Sequence, residues 1–336
     1  MGCPDFACMG FQKCGTSTLY ELLRQHLQIA LCSDVKEPMY YRVPVWSTVF
    51  WGKAGYRVRY FTYLKKGDPR LRGEVNAGLT FNGCAKKISG NFSPDTKMIF
   101  MLRNPVDRSY SAYKYFLARG FLPAEAMEDD RRLGHAAGFD RYVHTVLDDL
   151  PARNEIMQDR MKYLVLSQSN YAECIDEYLS AFDRKNMHFI VFEDFVRDEH
   201  QSCRELYEFL GIGDPEGIRY GLTVNPGNER AVSSSLAKRF KILKGCNYFL
   251  YDLCAIKHWN LLFYKWFRRH YGRVRRKTLE PDPDRSKVLP ATRAYLEQYF
   301  DADIAQTEKI TGMNLKSAWK WGQCRDTVNP EAGSES

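Results

Sequence analysis

Short unbroken apolar runs alternate along this chain with segments whose apolar residues recur every three or four positions. Residues 6–11, Phe-Ala-Cys-Met-Gly-Phe, form the first run, and Leu19, Leu22, Leu23 and Leu27 follow at helical spacing. This predicts a strand over 6–11 and a helix over 17–27. Residues 29–32 read as a second short strand, 55–63 as an aromatic and basic helix, and 73–77 as a strand end. The run Lys-Met-Ile-Phe-Met-Leu at 97–102 is apolar almost throughout, as expected of a central strand buried on both faces. Arg103-Asn104-Pro105 ends it, with Pro suited to the first turn of a helix over 106–117.

Further on, residues 121–151 are charged and contain Gly, and read as irregular surface. Tyr171, Cys174, Ile175, Tyr178, Leu179 and Phe182 return to helical spacing. Residues 187–192 read as a buried strand. Cys203, Leu206, Tyr207 and Leu210 mark a helix closed by Gly211. Helical spacing resumes over 291–310. Strands alternating with helices imply an α/β fold of P-loop-like, three-layer form, with a central parallel sheet flanked by helices. The expected organisation is a single domain over 1–322, a helical basic insertion at 231–285, and a disordered tail at 323–336.

The loop after the first strand carries the first candidate chemistry. Gly10-Phe11-Gln12-Lys13-Cys14-Gly15-Thr16-Ser17-Thr18 holds two glycines, one lysine and three hydroxyls ahead of a helix. Backbone N–H groups at a helix N-terminus favour an anion, and glycine lets it approach. The spacing is close to the nucleotide-binding P-loop, but Thr16 stands where that pattern needs Lys, and the lysine lies inside the loop at Lys13. This points away from NTP chemistry centred on a metal-bound γ-phosphate. The alternative is an ordinary N-capped helix after a glycine turn.

A second candidate lies at the carboxyl end of the central strand, where open α/β sheets place their ligands. Arg103 and Ser111 are separated by about two helical turns, so both can face one anion. The alternative is an ion pair between Arg103 and Asp107.

Composition adds bounds. The 336 residues are 44% hydrophobic and 27% charged, which fits a folded globular chain, and a formal net charge of +8 favours anionic partners. The ten cysteines include no Cys-x-x-Cys pair, which speaks against a zinc site. Cys8, Cys174 and Cys203 fall on apolar patterns and are expected in the core. The most apolar stretch, 246–267, is interrupted by Asp252, Lys257, His258 and Lys265, so it does not read as a membrane span. Met1 lies too close to the first strand for a leader sequence. The expectation is a cytosolic protein or the catalytic part of a longer one.

Taken together, the two anion motifs resemble those of the sulfotransferases. Lys13-Cys14-Gly15-Thr16-Ser17-Thr18 is similar to their 5′-phosphosulfate loop, and the stretch from Arg103 to Ser111 to their 3′-phosphate element. Lys36-Glu37-Pro38 followed by Tyr40-Tyr41, the run Met-Leu-Arg-Asn-Pro-Val-Asp-Arg, and Phe192-Glu193-Asp194 resemble the Golgi carbohydrate sulfotransferases. The likeness is greatest to the chondroitin N-acetylgalactosamine 4-sulfate 6-O-sulfotransferase type.

That resemblance implies 3′-phosphoadenosine-5′-phosphosulfate (PAPS) as donor, 3′,5′-ADP as product and no metal. It implies a polysaccharide or oligosaccharide acceptor of chondroitin or dermatan type, no nucleic acid partner, and a Golgi-lumen enzyme whose membrane anchor lies outside this chain. Glu37 is the implied general base, with a salt bridge to Lys36 or Arg42 as the alternative, and Glu74 is the second candidate. Several relatives carry Lys after the corresponding Glu, whereas this chain has Val75. Arg230 is the nearest counterpart of a basic residue that closes over the 3′-phosphate. A P-loop kinase or NTPase, and a non-enzymatic polyanion-binding module of the same fold, are the competing readings.

Overall fold

The computed structural model describes residues 4–31, 37, 67–81, 84–148, 161–221, 229–231 and 279–323. Strand β1 (Phe6–Gly10) is buried along its whole length. Helix α1 (Thr16–Leu23) follows, and Leu19, Leu22 and Leu23 are fully buried. The helix ends before Leu27, which is exposed. A turn replaces its last predicted turn, where the Gln28 N–H donates to His26 Nδ1.

Strands β2 (Ile29–Leu31), β3 (Leu71–Val75) and β4 (Lys97–Leu102) come next. A 3-10 turn (Ala77–Thr80) and helix α2 (Cys84–Ser89) lie between β3 and β4. Helix α3 (Pro105–Leu117) starts one residue after Asn104, whose side chain accepts from the Val106 and Asp107 N–H groups. That cap and the proline beside it fix the point where strand turns to helix.

Residues 121–151, expected as irregular surface, are corrected to two helices over most of their length. These are α4 (Ala124–Leu133) and α5 (His135–Leu147), joined at Gly134. Helices α6 (Met161–Ser167) and α7 (Ala172–Leu179), strand β5 (Met187–Val191), and helices α8 (Phe192–Arg197) and α9 (Glu199–Leu210) follow. Gly211 ends α9 in the left-handed conformation at φ 78°.

Two short antiparallel strands, β6 (Glu229–Ala231) and β7 (Leu279–Pro281), bring those two distant parts of the chain together, and β6 lies against α3. Helices α10 (Pro290–Thr311) and α11 (Leu315–Ala318) complete the described chain.

The five principal strands form one sheet in the order β2-β3-β1-β4-β5, and every pairing is parallel. This is the expected α/β fold, a central parallel sheet flanked by helices. After β1 the chain crosses to the edge strand β2, steps back to β3 beside β1, and then passes to the other side at β4. The reversal leaves a crevice beyond the carboxyl ends of β1 and β4, the place where such sheets bind ligands. Both anion motifs leave the sheet at that point, because Gly10 is paired with Met101.

Cys8, Cys14, Cys84, Cys174 and Cys203 are buried, so the three cysteines expected in the core are there. No helix among the described residues is long and apolar enough to cross a membrane, and no described group of His, Cys, Asp or Glu has the arrangement to hold a metal ion. The segments 32–36, 38–66 and 232–278, with the expected helix at 55–63 and most of the 231–285 stretch, lie outside the described residues, as does the tail from 324.

Candidate functional site

The loop between β1 and α1 turns through two residues in the left-handed region, Lys13 at φ 76° and Gly15 at φ 88°. Lysine rarely adopts that conformation, and its occurrence at the loop's one cation is local strain of the kind found at ligand sites. Gly15 precedes the first residue of α1, and no side chain caps the helix there. Thr16 is buried and its methyl lies against Gly10, while Ser17 and Thr18 remain partly exposed. Gly15 is the N-cap, so the helix does begin after a glycine turn, without a side-chain cap. The Cys14 thiol faces the interior, where burial pushes its pKa up to about 12 against the opposing pull of Arg108 and Arg103.

The second motif meets the first directly. Arg103 Nη1 donates to the Lys13 carbonyl oxygen at 2.9 Å, and its guanidinium lies 4.6 Å from the centre of the Phe192 ring. The Arg103 carbonyl accepts from the Tyr171 hydroxyl at 2.6 Å. The alternative pairing of Arg103 with Asp107 is corrected: the Asp107 carboxylate takes Arg293, from α10. Ser111 sits two turns into α3, partly exposed. Lys114 follows it by three residues, with its ammonium 4.7 Å from the centre of the Tyr110 ring. Burial lowers the Lys114 pKa, with the Arg103 and Arg285 charges adding to that shift and Asp282 and Asp284 opposing it.

Arg108 was not among the residues singled out, yet it holds the loop from below. Its guanidinium is fully buried. It donates to the Gln12 carbonyl at 3.2 Å, to the Val165 carbonyl, and to the Ser169 hydroxyl at 2.5 Å. Those acceptors are neutral, and burial pushes the guanidinium pKa down. A buried positive charge under the loop favours an anion above it. The available sequence signal was its register: Arg108 falls on the apolar stripe of α3, four residues before Ala112 and eight before Phe116.

Glu193 was noted only as part of a short motif. It accepts from the Asn104 N–H at 3.0 Å and from Trp319 Nε1 at 2.8 Å, tying the start of α3 to the chain's C-terminal part. Its pKa is raised by burial.

Of the two base candidates, Glu74 lies near the end of β3, next to β1, and is completely buried. Asn76 Nδ2 donates to its Oε1 at 2.7 Å. Glu37 is partly buried, and its sequence neighbours lie outside the described residues. Arg230 is in β6, the strand that runs against α3. His26 and His188 each make contacts within the fold. The first sits against the Gly213 carbonyl at 3.0 Å, and the second stacks on Phe209 at 5.1 Å.

Residues 4–220 match the sulfotransferase domain family, a span that includes Lys13, Glu37, Glu74, Arg103 and Ser111 but not Arg230. The human protein carbohydrate sulfotransferase 15 is 25% identical over 264 residues, covering 62% of this chain and 44% of that protein. A Drosophila melanogaster bifunctional heparan sulfate N-deacetylase/N-sulfotransferase is 25% identical over 223 residues, covering 62% of this chain and 20% of its own length. The chain thus spans less than half the length of these curated relatives. Among solved structures, a sulfotransferase from Alicyclobacillus acidocaldarius superposes with a TM-score of 0.56 and 22% identity, covering 95% of this chain and 100% of that one. This last likeness establishes a shared fold.

Proposed function

The chain belongs to the sulfotransferase family, and we propose that it transfers the sulfuryl group of PAPS to a hydroxyl of a carbohydrate, within a chondroitin or dermatan type of glycosaminoglycan. The observation that carries this reading is the hydrogen bond from Arg103 to the Lys13 carbonyl, which joins two anion motifs in one crevice. A donor with phosphates at both its 5′ and 3′ positions needs two such places. The likeness to carbohydrate and heparan sulfate sulfotransferases supports the acceptor class.

The residues present fit such a donor. The left-handed turns at Lys13 and Gly15 shape a loop at a helix N-terminus, over the buried charge of Arg108. Bound there, the donor supplies the sulfuryl group and the phosphate it leaves from. In this reading Glu37 takes the proton of the acceptor hydroxyl as that oxygen bonds to sulfur. The sulfur–oxygen bond to the 5′-phosphate breaks, and its electron pair stays on the phosphate. Lys13, the loop N–H groups and the hydroxyls of Thr16, Ser17 and Thr18 meet that developing charge. Arg103 and Ser111 hold the 3′-phosphate, with Arg230 closing beside them. Glu74, buried beside β1, is the second candidate for the proton transfer. The Golgi lumen is the proposed location, on the strength of the same resemblance. Thr16 offers no cation where a P-loop kinase places its lysine, which weighs against phosphoryl transfer from ATP.

Calorimetric titration with 3′,5′-ADP, against ATP–Mg²⁺, tests the donor site. Binding of 3′,5′-ADP with little binding of ATP is expected, followed by sulfate transfer from PAPS to chondroitin, dermatan or heparan. A folded chain that binds heparin or chondroitin but no 3′,5′-ADP overturns the reading and favours the polyanion-binding module. With activity in hand, Glu37→Gln should lower kcat by about 10²–10⁴-fold with donor binding retained. An unchanged kcat transfers the role to Glu74.

A further inference from the structure

Tyr115 lies on α3 one turn beyond Ser111, and its ring carries two cations. The Lys13 ammonium lies 4.8 Å from the ring centre, and the Arg119 guanidinium 3.7 Å from it. Arg119 is largely buried and its Nη1 donates to the Tyr115 carbonyl at 3.3 Å. The guanidinium therefore stacks on the ring while gripping its backbone, and the ring has little freedom to swing away.

Lys13 is constrained at its other end too. Its backbone sits at φ 76° and its carbonyl is bonded to Arg103. With the main chain fixed in this way, what remains to be set is the direction of a long, flexible side chain. A lysine stem keeps several rotatable bonds, and an ammonium that wanders in the ground state must be ordered again at each turnover. An aromatic face within about 6 Å attracts such a cation without consuming its N–H donors.

We infer that Tyr115 is a positioning residue for sulfuryl transfer: its ring seats the Lys13 ammonium, so that the charge is already in place when the phosphate oxygen becomes negative. This rests on the reading of Lys13 as the group that meets the leaving phosphate. The ring itself touches no reacting atom. The same helix thus supplies Ser111 to one phosphate and the seat for Lys13 to the other, which keeps the two sites in register.

The test compares wild type with Tyr115→Phe, Tyr115→Leu and Tyr115→Met. It measures 3′,5′-ADP affinity, single-turnover release of 3′,5′-ADP from PAPS with and without chondroitin, and thermal unfolding. Phe keeps the aromatic face and should stay within about 2-fold of wild type, while Leu should lose about 3- to 30-fold in turnover. That loss should exceed any loss in 3′,5′-ADP affinity. Met offers a flexible apolar chain without the face, and should match Leu if Leu does not fold. Wild-type turnover in a folded Leu or Met variant overturns the inference. So does a Phe variant as slow as Leu, or equal losses in affinity and turnover. A wild-type chain that binds no 3′,5′-ADP instead removes the donor reading, and the inference with it.

Discussion

Arg103 Nη1 donates to the carbonyl oxygen of Lys13 at 2.9 Å, so the residue assigned to one phosphate also fixes the backbone of the residue assigned to the other. A guanidinium has five N–H donors in a rigid fork, enough to hold a main-chain carbonyl and an anion together. Removing it should therefore do more than weaken donor binding. Arg103→Ala is expected to raise the donor KM and to lower kcat as well, each by about tenfold or more, because Lys13 loses its support. Steady-state kinetics with varied PAPS separates the two. A raised KM with an unchanged kcat would show that the bond to Lys13 has no part in turnover.

Two glycines shape the same loop for different reasons. At Gly10 a Cβ would fall 2.0 Å from the Thr16 methyl, so β1 and the first turn of α1 touch only because a side chain is missing. At Gly15 it would fall 2.7 Å from the Phe192 ring, in a backbone with φ at 88° that L residues avoid. Alanine at either position is expected to destabilise the chain by about 1–3 kcal/mol. Gly15→Ala should also abolish 3′,5′-ADP binding, since the loop turns there. Urea unfolding read beside calorimetry checks both, and a Gly15→Ala chain with wild-type affinity would contradict the part assigned to that turn.

How far the sequence speaks for itself differs from element to element. Strand β4 and helix α3 were legible to within a residue, because a continuous apolar run stops at Asn104-Pro105 and both residues have strong positional preferences. Helices α4 and α5 were not. Every side chain of α4 is at least partly exposed, so no apolar stripe marks it. In α5, Gly138 reads as a breaker, yet it lets the helix pass close to Asp130, where a Cβ would sit 2.8 Å from the Asp130 Cα. In the site, Lys13 stood out because a strand, two glycines, a lysine and three hydroxyls coincide there. Arg108 and Tyr115 did not, because helical spacing shows which residues share a face but not which face meets the loop. The partner of Asp107 lay 186 residues away at Arg293, beyond any local pattern.

Arg108 gives a stability prediction of its own. Its buried fork serves the Gln12 and Val165 carbonyls and the Ser169 hydroxyl, drawing the loop between β1 and α1, α6 and the turn after it around the start of α3. Arg108→Ala leaves those groups buried without their donor, at a cost of about 3 kcal/mol or more. Arg108→Lys keeps the charge but lacks the planar fork, and is expected to recover only part of the loss. Denaturant unfolding of the three proteins measures this. Equal stability of wild type and Arg108→Ala would mean that the loop is held from elsewhere.

The last prediction concerns pH. His135 is held between two carboxylates, with Nδ1 2.8 Å from Asp130 and Nε2 2.5 Å from Asp282, so both ring nitrogens donate and the ring is an imidazolium. Burial alone would lower its pKa, but the hydrogen bonds and charges of Asp130 and Asp282 outweigh that and raise it to about 9. The His135 N–H also donates to Asp284, and Tyr113 donates to Asp130, so the cluster ties α3 and α5 to the segment that follows β7. An unfolded histidine titrates near 6.5. The folded value lies above it, so the stabilisation is complete below about pH 6.5 and is lost as pH rises through about 9. The loss is on the order of 3 kcal/mol over that window. Thermal midpoints measured from pH 6 to pH 10 should fall in wild type and fall much less in His135→Gln, which is less stable at pH 6. Burial lowers the Lys114 pKa, so Lys114 contributes a stability that rises with pH, opposite in sign to that of His135, and Lys114→Met serves as the control. If the fall survives undiminished in His135→Gln, the pH dependence does not belong to the clamped imidazolium; Lys114→Met should keep the fall or steepen it.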